Sequence, residues 1–175
     1  MKGNEIDNVL REVRIARRAI QNAHLFPDSF ICEYYGHPGA AHETIYVILH
    51  RQNGSCYLTG AKPMVRYMIG DHLIVSSKSA FTEAEKLNEH PAWSGKISVF
   101  RQRIDPDKAE RFEIAIQGAI EQDCSTKNNK PGYTLDGITE WAQTQALADE
   151  GAFEGYLFSG KDGELYSILM ALIES

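Results

Sequence analysis

The dipeptide Asn53-Gly54 constrains this chain more than any other pair of residues in it. Both residues tolerate positive φ, which the tight turn of a two-residue hairpin requires. The β-branched and aromatic run Ile45–Arg51 precedes it and Cys56–Thr59 follows, so Gln52-Asn53-Gly54-Ser55 predicts an antiparallel strand pair. A two-residue turn also sets the register. It places Cys56 opposite Arg51 and turns His50 to the other face.

Further elements follow from periodicity. Ile6, Val9, Leu10, Val13, Ala16, Ile20 and Ala23 recur mostly at three- and four-residue steps and predict an amphipathic N-terminal helix that Pro27 and Asp28 end. Phe30–Tyr35, Ile97–Ile104 and Phe153–Phe158 read as strands, as do Val65–Ile69 and His72–Ser76 around Gly70-Asp71. Tyr133–Leu135 and Ile138–Gln145, joined by Asp136-Gly137, read as a strand pair or one bent strand. Ala80–Glu89 reads as a short helix. Asp105-Pro106-Asp107 combines a carboxylate cap with Pro at the first helical position and predicts a middle helix over about 105–122. A polar loop over Cys124–Gly132 follows it, and Leu165, Ile168, Leu169, Leu172 and Ile173 predict a C-terminal helix. Strands grouped in runs imply an α+β fold with a mainly antiparallel sheet against which the helices pack.

At 175 residues, 43% of them hydrophobic, the chain suits one domain spanning 1–175. Its apolar runs fall far short of the ~20 residues of a membrane span, and the N-terminal stretch lacks the apolar region of a secretory signal. Three widely spaced cysteines, Cys32, Cys56 and Cys124, suit reduced thiols in a cytoplasmic protein better than a disulfide framework.

Charge is divided unevenly. Residues 105–175 hold 14 Asp and Glu against 5 Lys and Arg, while residues 1–104 hold 10 against 13. An acidic half favours cationic partners and repels nucleic acid and anionic membranes. Arg11, Arg14, Arg17 and Arg18 line the first helix, but in a chain of net charge −6 they read as a solvated or ion-paired face rather than a nucleic-acid surface. The acids Asp136, Glu140, Asp149, Glu150 and Glu154 are interleaved with Trp141 and Tyr156, and these seven form the expected contact surface for a basic protein.

Catalytic readings are weaker. Gly155–Asp162 follows phosphate-loop spacing until Asp162 takes the place of the hydroxyl residue, so a helix N-cap is the better reading there. Cys56 with His50 would make an activated thiol only if a bulge or a longer loop changed the register. Cys32, His37 and His42, at five-residue steps, could converge on a metal, but no Cys-x-x-Cys or His-x-His supports it. No cofactor is therefore expected.

The stretch YTLDGITEW (Tyr133–Trp141), then GYLFSG (Gly155–Gly160) and an amphipathic end helix, resembles small bacterial proteins similar to toxin-immunity proteins. The resemblance covers about the last 45 residues. It implies a non-enzymatic cytoplasmic protein whose acidic surface mimics the phosphates of a toxin's substrate and occludes a basic toxin such as a nuclease. Two other readings stand beside it. One is a small cysteine- or metal-dependent enzyme. The other is a homo-oligomer, such as a homodimer, joined through the Ile6–Ala23 stripe.

Overall fold

The computed structural model describes residues 2–38, 44–63, 97–126, 138–145, 156–160 and 164–174. In chain order these form α1 (Lys2–Asn22), β1 (Cys32–His37), β2 (Ile45–Gln52), β3 (Ser55–Pro63), β4 (Ile97–Ile104), α2 (Pro106–Thr126), β5 (Ile138–Thr144), β6 (Tyr156–Gly160) and α3 (Glu164–Glu174). The fold is α+β. The strands make one antiparallel sheet in the order β4-β3-β2-β1-β5-β6. The strands expected over Val65–Ile69, His72–Ser76 and Tyr133–Leu135 and the helix expected over Ala80–Glu89 lie outside the described residues.

The hairpin forms as its turn residues dictate. Asn53 and Gly54 have φ of 53° and 81°, and Arg51 pairs with Cys56 and Gln52 with Ser55. α1 ends one turn before Pro27. His24, at φ 59°, occupies a left-handed position after the helix, and the Leu25 and His24 N–H groups return to the Ile20 and Gln21 carbonyls. These are the two bonds of a Schellman ending, with Leu25 packing near Ile20. α2 begins as its cap predicts, with the Asp107 N–H bonded to Asp105 Oδ1 at 2.8 Å, and runs to Thr126, four residues past its expected end.

Helices cover both faces of the sheet. α1 buries Val9, Val13, Ala16 and Ile20 against Tyr35, Tyr46, Ile48, Ala61 and Trp141. Burying side chains the size of Val13 and Ile20 stabilises by roughly 1.5–3 kcal/mol each, enough to decide which way the helix faces. Val9, Val13, Ala16 and Ile20 of the stripe are thereby used within the chain. The opposite face carries α2 and α3, where Phe112, Ile116, Leu165 and Leu169 meet Cys32, Tyr34, Val47, Leu49 and Leu58. Because β1 and β2 lie inside the sheet and are covered on both faces, their residues are buried almost without alternation.

Two sheet side chains fasten α3. Glu140 Oε2 on β5 accepts the Tyr166 N–H at 3.2 Å, and Gln102 on β4 donates to the Leu172 and Ile173 carbonyls at 3.4 and 3.3 Å. Backbone groups left over in the first and last turns of a helix are thus satisfied from the strands beneath it.

Candidate functional site

The seven residues expected at a partner surface do not meet in one patch. Glu140 is 3% exposed and Trp141 is fully buried. They occupy neighbouring positions of β5, so they point to opposite faces of a strand flanked by β1 and β6. Neither is presented to a partner, which corrects the expectation for these two. Asp136, Asp149, Glu150 and Glu154 lie outside the described residues. Tyr156 opens β6, paired with Ala142.

Each of the two buried β5 residues belongs to a polar cluster. On the face of α2 and α3, the Tyr34 hydroxyl donates to Glu140 Oε2 at 2.6 Å. Burial raises the Glu140 pKa, although its bonds from Tyr34 and the Tyr166 N–H pull the other way. Burial together with the Glu140 charge also raises that of Tyr34. Gly36 makes room for this pair: a Cβ there would stand 2.6 Å from the Tyr34 hydroxyl and 2.9 Å from the Tyr166 ring.

Under α1, Glu33 is 1% exposed and receives both prongs of the Arg17 guanidinium, at 2.7 and 2.6 Å. The Tyr46 hydroxyl donates to the same carboxylate, as does Gln143 Nε2 at 3.4 Å. Arg17 Cζ also lies 6.0 Å from the centre of the Trp141 ring. Burial opposes the Arg17 charge, but the Glu33 bonds, the Glu33 charge and the Tyr46 hydroxyl together more than offset it and hold the guanidinium above its usual range. One of the four arginines of the expected basic face is therefore turned inward.

The two thiol-centred sites come apart. Cys56 sits in the core beside α2, while His50 lies on the α1 face with Nε2 2.8 Å from Thr59 Oγ1. The register opposes Arg51, not His50, to Cys56. Cys32 is buried in the core beneath α2 and α3, and burial, with Glu113 and Glu33 nearby, pushes its thiol well above the ordinary range. Five positions along the same strand, His37 faces the other way, with Nδ1 2.5 Å from Thr44 Oγ1. His42 lies outside the described residues.

Two surface features fall outside that expected surface. The first is the outward side of α2, where Asp107, Glu110, Ile114, Gln117 and Glu121 succeed one another at helical steps and all are exposed. Ile114 is 59% exposed, an apolar side chain set in an acidic stripe, with Lys108 and Arg111 beside it. The helical period of the sequence held this signal, since Ile114 falls outside the apolar stripe of Phe112, Ala115, Ile116, Ala119 and Ile120.

The second feature is a cleft of about 280 Å³ between the segment joining α1 to β1 and the adjoining ends of β2 and β4. Leu25, Phe26 and Pro27 form one wall, and His50, Gln52 and Arg101 form the other. The His50 ring stacks on Tyr57 at 5.7 Å, and Arg101 Cζ lies 4.4 Å over the same Tyr57 ring. Burial, reinforced by the Arg101 charge, lowers the His50 pKa to about 4. No single stretch of sequence carries this site, because three distant segments build it.

Comparison with protein-family models, curated proteins and solved structures gave no match, so the functional reading rests on this geometry and on the sequence.

Proposed function

We propose that this chain is a protein-binding domain that captures a basic partner, and that the partner is a toxin, for example a nuclease, whose active site it covers. The observation that carries the reading is the outward side of α2. Asp107, Glu110 and Glu121 supply negative charge along roughly 21 Å of helix, and the exposed Ile114 supplies an apolar anchor between them. Carboxylates around an apolar residue steer a cationic partner electrostatically and then hold it by burial. The acidic excess of residues 105–175 in the sequence agrees in sign. This moves the weight of the interface from β5, whose Glu140 and Trp141 are buried, to the helix before it. The thiol-centred alternative has less support, since its paired residues face away from each other.

Such a partner would be met in the cytoplasm. Among the described residues, no helix is long and apolar enough to cross a membrane.

The immobilised chain tests this against lysate of its source. A basic protein retained at low salt and released as salt rises, and lost with Glu110→Lys plus Glu121→Lys or with Ile114→Asp, supports the reading. The purified partner should then lose its toxic or nucleolytic activity at equimolar ratio. Retention indifferent to salt and to both changes overturns the electrostatic mechanism. An activity left intact by saturating amounts of the chain overturns the inhibitory role.

A further inference from the structure

We propose that the cleft between the α1–β1 segment and the ends of β2 and β4 binds a small organic anion through Arg101. The inference is independent of the α2 surface, from which the cleft is separated by the sheet.

Arg101 is held before any ligand arrives. Its guanidinium lies over the Tyr57 ring at 4.4 Å, and Nη2 donates to Gln52 Oε1. A guanidinium offers five N–H donors in a planar fork, so the bond to Gln52 leaves an edge for the two oxygens of a carboxylate or phosphate. Fixing the side chain in advance removes much of the ordering cost that a free arginine would bring to binding.

The charge of the surroundings agrees. Arg51 also lines the cleft, and Asp28 is its one carboxylate among the described residues. His50 closes the inner side as a neutral ring, since its pKa lies near 4. It therefore adds no charge at neutral pH, and its buried ring, stacked on Tyr57, floors the cleft.

Shape narrows the ligand class. Leu25, Phe26 and Pro27 are half-buried and give the opposite side an apolar wall. An inorganic ion would leave that wall unused. A volume of about 280 Å³ stands at the lower end of small-molecule sites, which run from ~300 Å³ upward. The combination suits an oxyanion attached to a ring or short carbon skeleton, with the oxyanion on Arg101 and the carbon part against Phe26. Carboxylate and phosphate share this chemistry, and the test separates them.

The full chain is titrated at constant ionic strength with benzoate, phenyl phosphate and inorganic phosphate, and the His50 and Tyr57 ring resonances are followed by NMR. At least one organic probe should give saturable shifts with a Kd of about 1 mM or tighter. Inorganic phosphate should bind at least roughly tenfold more weakly. Arg101→Gln should weaken the organic probe by roughly tenfold or more. Arg101→Lys, which keeps the charge but loses the fork, should fall between, and serves alone if the glutamine variant does not fold. Lys108→Gln on α2 should change nothing. The absence of saturable shifts with all three probes overturns the site. Equal affinity in wild type and the Arg101 variants overturns the role of Arg101, and equal affinity for inorganic and organic probes overturns the organic ligand class.

Discussion

Among the described residues each face of the sheet carries one buried strand glutamate, Glu33 on β1 and Glu140 on β5, and the two are accommodated by opposite means. Beneath α1, Glu33 keeps company with a cation: Arg17 meets both its oxygens while Tyr46 and Gln143 add donors. Beneath α3, Glu140 has a phenol and a backbone N–H but, among the described residues, no bonded cation, and burial raises its pKa. A buried charge that has a partner depends on it, whereas a buried acid without one favours its protonated form. The first arrangement pins a helix through charge. The second pins a helix through an acceptor that could equally be neutral.

The largest effect expected from this contrast comes from removing the cation. Arg17→Met leaves Glu33 buried without its counter-ion and should cost about 3–5 kcal/mol by urea denaturation. Adding Glu33→Gln to that variant should recover part of the loss. A cost near zero for the single change would mean that Glu33 does not depend on Arg17.

Tyr34→Phe comes next. It deletes one of the two donors that the described residues give Glu140 and should cost about 1–3 kcal/mol, measured in the same way.

The pH dependence sharpens the comparison. His50 has a lowered folded pKa, so its contribution is complete above the ordinary value of 6.5 and is lost as pH falls toward about 4. The loss should be on the order of 1–3 kcal/mol. His50→Gln should flatten that limb of the stability curve.

Glu140 has the opposite sign. Its pKa is raised, so its contribution is complete below the ordinary carboxylate value and is lost as pH rises through the raised one. Glu140→Gln keeps an oxygen for both donors and should raise Tm at pH 7 by an amount worth less than about 1 kcal/mol. The gain should vanish in acid. A Glu140→Gln protein less stable than wild type at pH 7 would break the distinction between the faces.

Local chemistry was legible from the sequence wherever neighbours along the chain decide it. The Asn53-Gly54 turn, the Asp105 cap, the Val9–Ile20 stripe and the register that parts His50 from Cys56 are all of this kind. Glu140 and Trp141 read as surface from their company of acids and rings, but β5 is buried on both faces. It lies between β1 and β6, and β1 precedes it by about a hundred residues. Alternation along a strand reports two faces, but not whether a helix covers the second one. The cleft was illegible for a related reason, since Phe26, His50 and Arg101 meet only once the sheet has aligned its strand ends.

The late arrival of β5 has a consequence for synthesis in the cell. β1 to β4 emerge in order, leaving one side of Cys32–His37 open until Ile138–Thr144 is made. At ~5–20 residues per second, that interval lasts roughly 5–20 s. During it the nascent chain exposes a row of unsatisfied amides on a hydrophobic ribbon, the form most easily captured by a neighbouring polypeptide. Ribosome-associated chaperones that shield this ribbon should therefore govern how much of the protein reaches its folded state.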